Sequence, residues 1–228
     1  MSRKSILLLH GPLGIQRQFE KLKDALSTNF EVYSFDFEGH GGVISTRRFS
    51  MDYFTENVID YLDAKDISSS NVFGYSMGGY VALNVAKKHP SRILKIITLG
   101  TKFNWTSETV RKEVKMLNPE LIQQKIPAFA QVLEKRHFPT DWKSVLSKTA
   151  EMLEELGNGE AYSEEVLKKI SHEVLICTGE LDNMVSQEES KKAAVLLPNG
   201  SFQTVPNAQH PVEKVPVEVI YNIILKFL

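Results

Sequence analysis

Apolar positions along this chain come in two rhythms. The run "SILLL" (5–9) has the length of a buried strand, and "IQRQFEKLKDAL" (15–26) then places Ile15, Phe19, Leu22 and Leu26 on one helical face. The pair repeats. "EVYSFDF" (31–37) reads as a strand, "EGHGG" as a loop, and a helix opens at Ser50, an N-cap residue type, with Phe54, Val58, Tyr61 and Leu62 at helical spacing. "NVFGYS" (71–76) is a strand running into a tight turn, "MGGYVALNVAKKHP" (77–90) a helix ended by Pro90, and "ILKIITLG" (93–100) a further strand. Strands alternating with helices predict βαβ units, hence an α/β fold with a mostly parallel sheet, helices on both faces and right-handed crossovers.

From about 101 to 171 the alternation stops. This stretch is helical and charged, and is interrupted by Pro119, Pro127, Pro139, Gly157 and Gly159. Its aromatic and methionine residues, Phe103, Trp105, Met116, Phe129, Phe138, Trp142 and Met152, are expected either to fill an inner core of the insertion or to line a pocket beneath it. Alternation resumes with "HEVLICTG" (172–179). Ser186 and Glu189 form a capping-box pattern, "SFQTVP" (201–206) is the last strand and "VEVIYNIILKFL" (217–228) the closing helix. The expected organisation is a core domain of residues 1–100 and 171–228, with 101–170 as a helical cap.

Composition narrows the class. The 228 residues suffice for one sizeable core, and 42% hydrophobic with 24% charged residues is ordinary for a globular protein. A net charge of −1 gives no electrostatic footprint for nucleic acid or an anionic membrane. The apolar part of "MSRKSILLLHG" is too short for a secretory signal, and no apolar stretch approaches a membrane span. With Cys177 as the single cysteine there is no internal disulfide, so a reducing, cytoplasmic location is expected. The histidines lack metal-ligand spacing and no dinucleotide fingerprint is present, so no metal and no cofactor are expected. The expected partner is a small molecule; the oligomeric state stays open.

The strongest chemical signal is "GYSMG" (74–78), a G-x-S-x-G between a strand and a helix. That context lifts Ser76 onto a sharp turn above the strand end. A serine hydroxyl needs a base, and the base needs an acid to fix its tautomer. Asp182, just beyond a strand in "CTGELDNMV", is favoured as the acid over its neighbour Glu180. His210, in "VPNAQHPVEKVP", is the one histidine both late in the chain and at the C-terminal end of a predicted strand. His10 and His40 are expected to hold turns through hydrogen bonds. His89 closes a helix, His137 lies in the insertion and His172 begins a strand.

The order Ser76, Asp182, His210, with "HGPLG", "DFEGHG", "GYSMGG", "GELDNMV" and "QHPVEKVP", resembles the α/β-hydrolase superfamily over nearly the whole chain. Relatives usually carry two further strands before the one leading to the H-G turn. Here that strand starts almost at the first residue, so the resemblance implies an α/β-hydrolase fold trimmed to six strands. Glu38 stands where relatives often have proline, and Gln209 where glycine is common. The resemblance implies a serine hydrolase of the carboxylesterase kind, cleaving a small to medium ester or thioester. Alternatives on the same triad are C–C bond hydrolysis or a menaquinone-pathway-like elimination, against which Tyr80 stands where such lyases often have arginine. A non-catalytic ligand-binding receptor of the same fold is a further alternative.

The resemblance also implies an oxyanion hole of two backbone N–H groups. Met77, after the nucleophile, supplies one. Relatives take the second from the residue after H-G, here Pro12, which has no N–H. Leu13 N–H could turn inward in its place, a side chain or water could substitute, or the hole has a single donor.

Overall fold

A computed structural model describes residues 3–228; the first two residues of the stretch 1–100 assigned to the core lie outside them. Six strands, β1 (Lys4–Leu9), β2 (Phe30–Ser34), β3 (Ser70–Tyr75), β4 (Ile93–Leu99), β5 (Glu173–Gly179) and β6 (Asn199–Val205), form one parallel sheet in the order β2-β1-β3-β4-β5-β6. The chain therefore steps outward from β1 to β2 and returns to the other side of β1 for β3. Loops after β1 and β3 leave in opposite directions, which opens a crevice at the C-terminal ends of these strands.

Both faces of the sheet are covered, so the strands read as continuous apolar runs rather than alternating ones. Leu7, Leu9, Val72, Ile96, Val174 and Ile176 face one core with helices α2 (Met51–Ala64), α3 (Met77–Lys88) and α9 (Gln187–Leu196). Ile6, Leu8, Phe73, Ile97, Leu175 and Cys177 face the other, against α1 (Glu20–Leu26) and α10 (Val217–Phe227). The expected helix face holds for Phe19, Leu22 and Leu26, which are buried; Ile15 is only half-buried.

β2 is shorter than the apolar run that announced it. Past Ser34 the chain leaves the sheet, and its polar groups, the Asp36 carboxylate and the Phe37 N–H, take partners from the loop after β1. Asp36 accepts from Gln16 N–H (2.6 Å), and Phe37 N–H donates to His10 Nε2 (3.1 Å). Between β4 and β5 lie α4 (Ser107–Met116), α5 (Pro119–Lys125), α6 (Pro127–His137), α7 (Trp142–Glu155) and α8 (Glu164–Leu167). They carry a satellite core of Ile122, Ala130, Leu133, Trp142 and Leu146. Among the described residues no helix is long and apolar enough to cross a membrane.

Candidate active site

Ser76 sits between β3 and α3 with φ 52° and ψ −117°, in the left-handed half of backbone space. For a non-glycine residue such a conformation costs on the order of 1–3 kcal/mol and persists only where the surroundings impose it. Here they do. Ser76 N–H donates to Leu99 C=O (2.8 Å), and Thr101 Oγ1 donates to Ser76 C=O (2.9 Å). The flanking glycines follow from close approach: a Cβ on Gly74 would collide with the Gly78–Gly79 backbone, and one on Gly78 with the Leu9 carbonyl. Met77 opens α3, and its N–H donates to no acceptor among the described residues. The first N–H groups of a helix carry its positive end, so this one suits developing negative charge.

Asp182 and His210 are brought together. His210 Nδ1 donates to Asp182 Oδ2 at 2.8 Å, while Asp182 Oδ1 accepts from the N–H groups of Met184 (2.8 Å) and Val185 (2.9 Å). The Asp182 side chain is only 1% exposed. Burial alone would push its carboxyl up, but the His210 hydrogen bond and charge, with the two backbone donors, outweigh it and hold the group below the usual carboxylate range. Glu180 is exposed and accepts from Asn207 N–H (3.0 Å), so it braces the turn after β6 and does not face His210. No hydrogen bond joins Ser76 Oγ to His210 among the described residues, though both line one cavity; catalytic hydrogen bonds of this kind often tighten only with substrate in place.

The turn 11–14 has Pro12 second, Leu13 third at φ 58°, and Gly14 N–H donating back to Gly11 C=O at 3.1 Å. Proline second with positive φ third is the pattern of a type II turn, whose third residue is usually glycine. Leu13 N–H donates to no acceptor among the described residues. Its carbonyl is the opposite case: Arg136 Nη1 (2.9 Å) and His137 Nε2 (3.2 Å) both donate to it.

Pro12, Leu13, Ser76, Met77 and His210 share the wall of a cavity of about 530 Å³. Five methionines, Met51, Met77, Met116, Met152 and Met184, line it as well. Five of the insertion's seven large residues take one of the two expected roles. Trp105, Met116, Phe129 and Met152 line this cavity, Trp142 sits in the satellite core, and Phe103 packs against the main core. Phe138 does neither. It follows the last turn of α6, where the backbone leaves the helix, and is 77% exposed. Two ion pairs interrupt the apolar wall: Arg136 Nη2 lies 3.1 Å from Glu213 Oε1, and Lys102 Nζ lies 3.4 Å from Glu113 Oε1 and donates to Met184 C=O at 2.9 Å.

His10 holds its turn as expected, donating from Nδ1 to Gly11 C=O (2.8 Å) and accepting at Nε2 from Phe37 N–H (3.1 Å). His40 does not. It is fully buried, neither ring nitrogen has a hydrogen-bond partner among the described residues, and its ring stacks on Phe49 at 5.0 Å. His137 accepts at Nδ1 from Gly41 N–H (3.2 Å). The three rings are neighbours, with centroids 5.2 Å apart for His10 and His40 and 5.7 Å for His40 and His137. Burial lowers His10 and His137 to about 4 and His40 well below its usual value.

Arg136, His137 and the Lys102–Glu113 pair were not foreseen in the sequence. The first two reach Leu13 across 123 and 124 residues of chain, a separation that no local pattern encodes.

A family model described as the alpha/beta hydrolase fold matches residues 4–150. A Caulobacter vibrioides protein bearing the provisional name carbamate hydrolase RutD is 25% identical over 99% of this chain and 90% of its own length. Among solved structures, the enol-lactonase of Burkholderia xenovorans superposes with a TM-score of 0.78 at 18% identity, covering 100% of this chain and 92% of that one. A thermophilic esterase of Thermogutta terrifontis gives 0.77 at 21% identity, over 99% and 89%. At these identities the structural likeness concerns the fold.

Proposed function

The chain belongs to the α/β-hydrolase family, and on that premise we propose that it is a serine hydrolase cleaving a small to medium carboxylic ester or thioester through an acyl-enzyme on Ser76. The observation that carries this reading is the 2.8 Å hydrogen bond from His210 Nδ1 to the buried Asp182, beside a cavity whose wall also holds Ser76. With its proton on Nδ1, His210 keeps the Nε2 lone pair for a serine proton.

In this mechanism Ser76 Oγ attacks the acyl carbon as His210 Nε2 takes its proton. The negative charge on the carbonyl oxygen falls to the Met77 and Leu13 N–H groups, neither of which has an acceptor among the described residues. His210 then protonates the leaving alcohol or thiol. Water, deprotonated by His210, attacks the acyl-enzyme and frees Ser76. Residues 101–170 serve as the cap that walls off the acyl group. Methionine side chains are flexible and polarizable, so the five in the cavity wall favour apolar acyl chains of varied shape. A carbamate carbonyl would be attacked in the same way, so an aryl carbamate belongs in the substrate panel. A cytoplasmic location goes with this reading, supported by the single, buried Cys177.

The receptor alternative rests on Pro12; against it, Leu13 N–H has no acceptor among the described residues and is available as the second donor. Elimination and C–C cleavage gain none from Tyr80, whose hydroxyl accepts from Tyr162 N–H at 2.7 Å. A fluorophosphonate probe is expected to label the wild type at Ser76 and to leave Ser76→Ala unlabelled, with p-nitrophenyl esters of two to twelve acyl carbons turned over by the wild type alone. An unlabelled, inactive wild type would end the hydrolase reading.

A further inference from the structure

Leu13 presents two problems at once. It has a conformation better suited to glycine, and on the serine-hydrolase reading its N–H takes the place of the donor that Pro12 lacks. In a turn of this kind the central peptide, here Pro12–Leu13, can flip. The ends stay nearly in place, φ of the third residue moves to about −90°, and its N–H faces the opposite way. For leucine the flipped form is the locally easier one. Something outside the turn must oppose the flip.

The opposing groups come from the insertion. Arg136 and His137 are adjacent at the C-terminal end of α6, and both donate to the Leu13 carbonyl, at 2.9 and 3.2 Å. Each is itself held. Arg136 Nη2 donates to Glu213 Oε1 at 3.1 Å, and Gln18 Nε2 donates to the same oxygen. His137 is 1% exposed, and because Nδ1 accepts from Gly41 N–H, its single proton sits on Nε2, facing Leu13. The Leu13 side chain packs on the satellite core of the same insertion. A charged donor and a neutral one on one carbonyl oxygen, plus the anchored side chain, fix the peptide after Leu13 and oppose the flip of the peptide before it.

We propose that Arg136 and His137 are positioning residues that hold the Leu13 N–H in its donor orientation, so that the cap completes the oxyanion hole. The inference rests on the serine-hydrolase reading. It makes cap and catalysis inseparable: a displaced α6 would release the Leu13 carbonyl and remove a donor aimed at the reacting oxygen, without touching Ser76, Asp182 or His210.

The test compares wild type, Arg136→Leu and Arg136→Lys for p-nitrophenyl butyrate turnover, thermal midpoint and inhibition by an alkyl trifluoromethyl ketone, whose adduct places an oxyanion where the substrate's forms. Arg136→Leu is expected to lose at least tenfold in kcat with KM within about threefold, and to bind the ketone weaker by the factor lost in kcat/KM. Arg136→Lys, which keeps a donor, is expected to recover most of both. A folded Arg136→Leu with kcat within twofold of wild type, or with unchanged ketone affinity, overturns the inference. Should Arg136→Leu fail to fold, Glu213→Gln decides, since it frees the guanidinium without removing it. A threefold or larger fall in kcat at constant KM supports the inference, and an unchanged kcat overturns it. A wild type that the fluorophosphonate does not label removes the hydrolase reading and this inference together; a labelled wild type with unaffected variants removes the inference alone.

Discussion

Glu180 and Asp182 are separated by one residue, yet their carboxylates face different partners. Asp182 N–H donates to Gly179 C=O at 3.2 Å, a tight turn that swings the aspartate under His210, while Glu180 stays at the surface on Asn207. The distinction has a kinetic consequence. In Asp182→Asn the amide can still accept from Met184 and Val185 N–H through its oxygen, so the loop keeps its shape. Its NH₂ would face His210 Nδ1 and force the proton to Nε2, the wrong tautomer for a base. A loss of about 10⁴-fold in kcat is expected, by analogy with the same change in a serine protease, with little change in thermal midpoint; steady-state turnover and calorimetry check both. Glu180→Gln should leave turnover near wild type. At this scale the glycines around Ser76 were legible as a motif: Gly74 answers a local demand, the backbone of Gly78 and Gly79, whereas Gly78 makes room for the Leu9 carbonyl of the neighbouring strand. The choice between Asp182 and Glu180 depended on a turn that alternation along the loop does not specify.

The boundaries of elements followed local signals where local chemistry sets them. Ser50 Oγ accepts from Tyr53 N–H at 3.0 Å and starts α2 where the sequence places it; Ser186 and Glu189 form their reciprocal capping box. Ser50→Ala should lower stability by about 1 kcal/mol, the ordinary cost of a lost N-cap, seen as a lower urea midpoint with an unchanged m-value. Where a boundary depends on remote partners, the reading along the chain overran. β2 stops at Ser34, and beyond it Gln16 and His10, from the loop after β1, take the next polar groups. His40 was expected to hydrogen-bond its turn. Instead it stacks on Phe49, and neither ring nitrogen has a hydrogen-bond partner among the described residues.

Across the whole molecule, the loop after β1, the loop after β2 and the end of α6 meet at three buried histidines. Asp36 and Arg136 face His10 and His137, while His10 and His137 face His40. Burial holds His10 and His137 to about 4, below the roughly 6.5 of an unfolded chain. As pH falls below about 6.5 the unfolded state therefore takes up protons that the folded state refuses, and stability falls. Each histidine contributes up to about 1.4 kcal/mol per pH unit inside the window from about 6.5 to 4. The lowered Asp182 carboxyl does not act there; its contribution is lost only at still lower pH, as it protonates through its depressed value. The thermal midpoint should be level above about pH 7 and drop steeply toward pH 4. A flat profile over that range would contradict the burial of neutral histidines.

Periodicity, the glycine pattern at Ser76 and the order of residues at successive strand ends are properties of the chain taken in sequence. They were enough to predict a mostly parallel sheet with a helical insertion after its fourth strand and the candidates Ser76, Asp182 and His210; the trimming to six strands came with the family resemblance. Short-range sterics and hydrophobic spacing act within a few residues, so they are written where they act. The positive φ of Leu13, the two donors on its carbonyl and the gathering of five methionines into one wall were decided by tertiary structure alone. Each depends on side chains far apart in sequence meeting in space, and that meeting is set by how α6 docks on the loop after β1.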